Sequence, residues 1–428
     1  MKPTMLLQGL EPLARDLYEK ACCGSRAIWP NLIEHGGFKC NDDDLRFRFI
    51  SLANKGMREA QQVIVDRINF ASKLTASEEI LFRGIADSIV WQFLGDQLCH
   101  ARRLFKEQVP PNLKHSNFES VVMATANIVE NHPDSMPLIS DLTSFVQVGD
   151  IIAMIPGQGL VMIEVKEGKE NRRIADFLSF YSESKCDRAL QIFYEQSGPK
   201  SIKQLERMVR QERRMAHFTE VVSKGISEDP DTGHLIQIPE QEIQIDTWDH
   251  ELNDLLANPE GKGWGIHVID DCLFLGCYFD NPMIAGGHIL FNGWFDSCGG
   301  TEHCPRARLF DSMKIPLALP VFNKSIPREQ KFDILFGRLQ VCMGINIESL
   351  LEQCQKEGLQ VRFGSNRETS KIEQFGGKLY RYKGNAIFIG NGTVEMGVVD
   401  GIFLRMLFHG QKPISLIKAM LENTPKSA

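Results

Sequence analysis

No uninterrupted apolar stretch approaches the roughly 20 residues needed to span a bilayer, and the run from Met1 to Pro12 is too short in apolar residues for a secretory leader. A soluble, cytoplasmic protein is therefore expected. Internal repeats and low-complexity tracts are missing, which excludes solenoid and compositionally biased architectures. The 11 cysteines are odd in number and contain no Cys-x-x-Cys, so a disulfide scaffold is excluded and free thiols in a reducing compartment are expected. Cys298, His303 and Cys304 lie close in sequence, but zinc there would need further ligands such as Cys272 or Cys277, and no spacing fits a standard zinc module. Positive charge is in deficit as well: the formal net charge is −7. Any contact with a polyanion must then come from local basic faces, and its affinity must fall steeply with salt. Gly390-Asn391-Gly392 is followed by neither a P-loop lysine nor dinucleotide spacing, and reads as a hairpin turn.

What is present is a chain of 428 residues, long enough for two or three domains with substantial cores. Residues 1–110 read as a helical region. Leu81, Ile85, Ile89, Phe93 and Leu98 recur at near-helical intervals between Glu78 and Phe105, with Arg83, Asp87 and Asp96 between them. Residues 111–240 read as an α/β core, with Gly233 to Ile238 as its last strand and the acidic stretch Ser227 to Gly233 as a break in the chain. Residues 241–428 read as a second α/β region. There Gly265 to Phe279 and His288 to Phe295 are predicted strands, and Ile347 to Lys356 and Ile414 to Leu421 predicted helices.

The stretch with most chemical content runs from Gly149 to Lys166. Two apolar arms, Asp150 to Ile155 and Leu160 to Lys166, flank Pro156-Gly157-Gln158-Gly159, the pattern of a β-hairpin. Side chains alternate along a strand, so Glu164 and Lys166 share one face, about 7 Å apart. Asp150 joins them only if the loop holds an odd number of residues or the strand is bulged, because a slip of one residue moves every side chain to the other face. An odd loop or a bulge is predicted. Two carboxylates can hold Mg²⁺, and a lysine beside them can orient water or offset charge growing on a phosphate.

An acid at the start of one strand and Glu-x-Lys on the next resembles the PD-(D/E)xK nuclease superfamily, the restriction-endonuclease-like fold. Glu-x-Lys also occurs at Glu167-Gly168-Lys169, Glu183-Ser184-Lys185, Glu260-Gly261-Lys262 and Glu329-Gln330-Lys331, and only the copy at Glu164 lies in an apolar strand paired with one beginning Gly-Asp. The resemblance implies an α/β (α+β) core with a mixed β-sheet flanked by helices. It implies hydrolysis of phosphodiester bonds with Mg²⁺ (or Mn²⁺), Asp150 and Glu164 as metal ligands and Lys166 as the water-orienting or charge-stabilising group. DNA is preferred over RNA as substrate, an effector of bacterial defence against foreign nucleic acid is the implied setting, and control by a partner protein or by self-association is left open. The alternative is a non-catalytic nucleic-acid-binding or scaffold protein that keeps the fold without a working site.

The family also carries an acid on an upstream helix. Glu119 is one candidate, although Ser116-x-x-Glu119 equally forms a capping box. Glu130, near the helix end, and Asp141 are the others. Downstream, Lys203, Arg207, Arg210 and Arg214 fall on one helical face, with Glu206 and Glu212 as counter-charges. Together with Lys169, Arg172 and Arg173 they form the predicted nucleic-acid contact. Gln204 loosely matches a helix glutamine of the family. Finally, Leu138 to Val148 leaves little room for the family's first strand, so the core is expected to begin differently.

Overall fold

The structure, a computed structural model, describes residues 3–113, 118–166, 168–238, 245–257, 261–279, 281–374 and 378–423. Ser116 of the expected capping box lies outside them. Contacts divide the chain into two compact units, one formed by Leu17–Lys73 and Ile89–Ile238, the other by Met1–Asp16, Leu74–Ser88 and Pro239–Ala428. The early chain is helical, as its periodicity predicts: Glu11–Cys23, Trp29–Glu34, Asp43–Phe70, Ala76–Phe93 and Leu98–Leu104. Open sheets flanked by helices follow.

In the first unit, strands Met136–Ile139, Ile151–Ile155 and Gly159–Ile163 form an antiparallel sheet in that order. The separate first strand therefore exists. It begins at Met136, two residues before the segment judged too short to hold it, and a 3₁₀ turn at Ser140–Leu142 starts the return. Helix Phe118–Asn131 lays Val121, Ala124 and Ile128 against Ile151, Ala153 and Ile155, the alternate residues of the central strand. Every pairing between the described strands is antiparallel, which replaces the mixed sheet expected. For the three-stranded sheet the reason is local, because its connections are too short for the crossover a parallel pair requires. Leu235–Gln237 adds nothing to the three-stranded sheet; it pairs with Ile226–Glu228 in a ribbon of its own.

The border strand Met136–Ile139 is closed by a helix. Along Asp43–Phe70, Ser51, Asn54, Arg58 and Gln61 recur at intervals of three and four and so share one face. Ser51 Oγ donates to Asp134 Oδ1 at 2.5 Å, Asn54 Nδ2 donates to the Asp134 carbonyl at 2.7 Å, and the Arg58 guanidinium donates to the Ser135 carbonyl. Buried Gln61 does both jobs of a neighbouring strand: its Nε2 donates to Pro137 O at 3.0 Å and its Oε1 accepts Ile139 N–H at 2.8 Å.

The second unit holds a four-stranded antiparallel sheet ordered Trp264–Ile269, Leu273–Tyr278, Gln340–Ile345, Arg306–Arg308. Residues His288 to Phe295 lie within helix Asn281–Ser297 rather than a strand. A short apolar run carries no period of its own. The helix is fixed by Phe291 and Phe295, one turn apart and both buried, with Phe295 edge-on to Phe274 of the sheet at 5.1 Å. Helix Ile347–Lys356 matches its predicted bounds and is capped by Asn346, whose side chain accepts Ser349 N–H. Gly390-Asn391-Gly392 is the predicted hairpin turn, between Asn385–Gly390 and Glu395–Gly397.

Gln61→Leu keeps the volume but strands one buried N–H and one buried carbonyl, and is expected to cost roughly 2–4 kcal/mol. Urea denaturation checks this; an unchanged midpoint would show that the border strand does not need the helix.

Candidate functional site

The hairpin loop is Pro156-Gly157-Gln158, three residues long, because Ile155 pairs with Gly159 and Ile151 with Ile163. Gly157 and Gly159 both hold φ near +80°, a conformation costly for residues with a Cβ, which lets so short a loop reverse the chain. The loop is odd, as predicted. The ladder ends at Ile151 opposite Ile163, and the Asp150 N–H turns to Ile163 O at 2.9 Å, which sets Asp150 beside the position just before Glu164.

The parity of the strand separates two functions. Odd positions Ile151, Ala153, Ile155, Val161, Ile163 and Val165 form an apolar face under helix Phe118–Asn131. Asp150, Glu164 and Lys166 belong to the alternate set. Lys166 Nζ stands 2.9 Å from Glu164 Oε1, both side chains being largely buried at 18% and 11% exposure. Glu164 Oε2 is buried without a hydrogen-bond partner among the described residues. Asp150 Oδ2 accepts the Val165 N–H at 2.7 Å. Burial, reinforced by the charge of Glu164, pushes the Asp150 carboxyl up to about 6, while the Val165 N–H and Lys166 pull the other way.

Two further acids act on this group. Asp141, in the turn Ser140–Leu142, adds its field to Asp150. Glu212, on helix Pro199–Lys224 and expected only as a counter-charge, remains exposed at the surface, but desolvation beside the hairpin holds its carboxyl above the ordinary range, with Lys166 opposing and Glu164 adding. The same helix brings Met215 Sδ to 3.5 Å from where a Cβ on Gly149 would stand, so it covers the open end of the hairpin. The helical wheel held the signal, since Glu212 lies opposite the four cations. By contrast Glu119 and Glu130 are exposed on helix Phe118–Asn131, and neither is among the charges that move Asp150. Their helix packs on the apolar face, the wrong side of the sheet for the acids.

The basic groups divide as well. Arg214 is committed to Asp231, Nη2 to Oδ1 at 3.0 Å, and Lys106 joins the same carboxylate at 3.0 Å. The acidic stretch Ser227 to Gly233 is thus an anchor rather than a simple break, as Asp229 also takes Arg103 at 3.5 Å. Arg173 pairs with Glu170 at 2.8 Å and lies over Phe193. Lys169, Arg172, Lys203, Arg207 and Arg210 are exposed and make no ion pair among the described residues. Gln204 Nε2 donates to Asn171 Oδ1 at 3.0 Å, which ties two helices together.

Among the described residues no three carboxylate, imidazole or thiolate groups stand close enough to hold a metal ion. Cys272, Cys277 and Cys304 are buried free thiols and Cys298 an exposed one. None of the described helices is long and apolar enough to cross a membrane.

A carboxyl raised in the folded state favours its neutral form, so the stability associated with Asp150 is present below its unfolded value and is lost as pH climbs through 6. Asp150→Asn is therefore expected to stabilise the protein by on the order of 2 kcal/mol at pH 8 in metal-free buffer, with the gain vanishing near pH 4. Urea midpoints at the two pH values measure this, and equal midpoints at pH 8 would contradict it. No family model, curated protein or solved structure matches the chain, and the functional reading rests on the residues themselves.

Proposed function

We propose that the chain is a metal-dependent nuclease that hydrolyses phosphodiester bonds, DNA in preference to RNA, at the open end of the hairpin. The observation that carries this reading is that Asp150 and Glu164 bear on one another's charge at the open end of the hairpin, with Lys166 2.9 Å from Glu164. Two acids held together in a half-buried place are unfavourable unless a cation is shared between them. Mg²⁺ (or Mn²⁺) suits such a place because it accepts one or two protein carboxylates and completes its shell with water and phosphate oxygens. The orphaned Glu164 Oε2 and the raised Asp150 carboxyl fit a cation at this point. Bound there, the ion would supply a polarised phosphate and an acidified water.

The chain's own residues do the rest. Asp150 and Glu164 hold the ion, and Lys166 sets its ammonium beside the negative charge that grows on the phosphate. Asp141 and Glu212 add negative potential behind these ligands. Exposed Lys169 and Arg172, just past the hairpin, neutralise flanking phosphates, while Lys203, Arg207 and Arg210, on the side of their helix opposite Glu212, add a separate basic face to a chain whose net charge is −7.

One observation favours the alternative, a nucleic-acid-binding or scaffold protein without activity: Lys166 is already paired with Glu164 Oε1, and no third ligand stands with the two acids among the described residues. Plasmid incubated with the protein and Mg²⁺ distinguishes the two. Nicking that falls by about a hundredfold or more in Glu164→Gln and in Lys166→Ala supports hydrolysis. Gel-shift binding that persists in EDTA and in both variants, with no nicking at any pH from 6 to 9, identifies the binding protein.

A further inference from the structure

The unit that carries the hairpin also holds a cavity of about 850 Å³ at the hairpin's other end, beside the loop. Phe47, Ile50 and Met57 of helix Asp43–Phe70, Phe93 at the end of helix Ala76–Phe93, and Met154 and Pro156 of the hairpin line it. Phe47 and Ile50 remain 48% and 45% exposed, hydrocarbon that folding left uncovered. Scattered apolar side chains are ordinary on a protein surface, but a concave cluster of them is a binding feature.

The polar groups of the lining are already engaged. Arg46 pairs with Asp43, one turn along the same helix. Asn54 Nδ2 donates to the Asp134 carbonyl at 2.7 Å, and Gln92 Nε2 to the Ala21 carbonyl at 3.1 Å. Asp96 also has its partner. At the corner the backbone is closed too, with Gly95 N–H on Gln92 O, Asp96 N–H on Trp91 O and Gln158 N–H on Ile155 O. A charged ligand entering here would lose its hydration and meet no unpaired opposite charge, which is strongly unfavourable. A neutral hydrocarbon loses only unfavourable contact with water.

We infer that this cavity is a binding site for an uncharged, largely hydrocarbon small molecule. The volume lies within the range of small-ligand sites, which are concave and walled by apolar and aromatic groups; a protein partner would need a broader contact than such a pocket offers. Met57 and Met154 add unbranched, adaptable side chains that can settle around rings or chains of differing shape. The inference does not rest on the nuclease reading.

The test titrates the full chain with N-phenyl-1-naphthylamine, a neutral apolar fluorophore. Saturable enhancement by one probe per chain is expected, weakened by about tenfold or more in Ile50→Glu, where a half-exposed position receives a charge inside the pocket, and unchanged in Leu290→Glu, an exposed apolar position in the other unit. Phe47→Ser, a milder change, is expected to weaken binding about threefold or more and covers the case in which Ile50→Glu alters the melting curve. Saturating probe should also raise the melting temperature of the wild type and not that of the pocket variants. Enhancement that fails to saturate, or that is equal in the wild type and in both pocket variants, overturns the inference.

Discussion

A strand at the border of a sheet leaves alternate N–H and C=O groups facing outward, and burying them unpaired is one of the costliest errors a fold can make. Here the strand Met136–Ile139 is buried along its whole length, so its outer groups must be satisfied by something other than water. Helix Asp43–Phe70 supplies them through Gln61, while Asn54 and Arg58 take the Asp134 and Ser135 carbonyls that lead into the strand. The sheet ends there on that side, and the central strand Ile151–Ile155 is held between this closed strand and the second arm of the hairpin. Positions along the hairpin inherit their places from this arrangement.

What the hairpin then does is sort residues by parity. Odd positions carry the core, and the alternate set carries Asp150, Glu164 and Lys166. Placing two acids in one half-buried spot works against stability, visible in the raised carboxyl of Asp150. Departures from a locally favourable arrangement tend to gather where a protein acts rather than where it merely packs. The cost is partly offset within the group itself, by Lys166 on Glu164 and by the Val165 N–H on Asp150.

Much of this was legible in the sequence because it depends on local periods. The alternation of Ile151 to Ile155, the glycines of the turn and the odd loop are all short-range matters, and so is the cap of helix Ile347–Lys356. The parts that escaped are long-range. The strand Met136–Ile139 has only four residues, one of them proline, and its status is decided by Gln61, some eighty residues away in the chain. Helix Asn281–Ser297 is recognisable by which aromatic groups meet the sheet, not by a run that reads equally well as a strand. Arg214 looks like a free cation along its own helix and is consumed by Asp231 across a turn. The helical wheel sets Glu212 apart from the four cations, but its nearness to Lys166 and Glu164 follows only from where that helix packs, with Met215 beside Gly149.

The three-residue loop has an evolutionary corollary. Its letters can drift, apart from the glycine that takes the left-handed bend, without disturbing the strands on either side. Their number can change too, within what a short turn spans. A codon lost or gained inside the arm Gly159–Ile163 is another matter: it would turn the rest of that arm over, sending its acid and its ammonium group into the oily side and its valines toward water, so a lineage is free to resize the bend but not the arm.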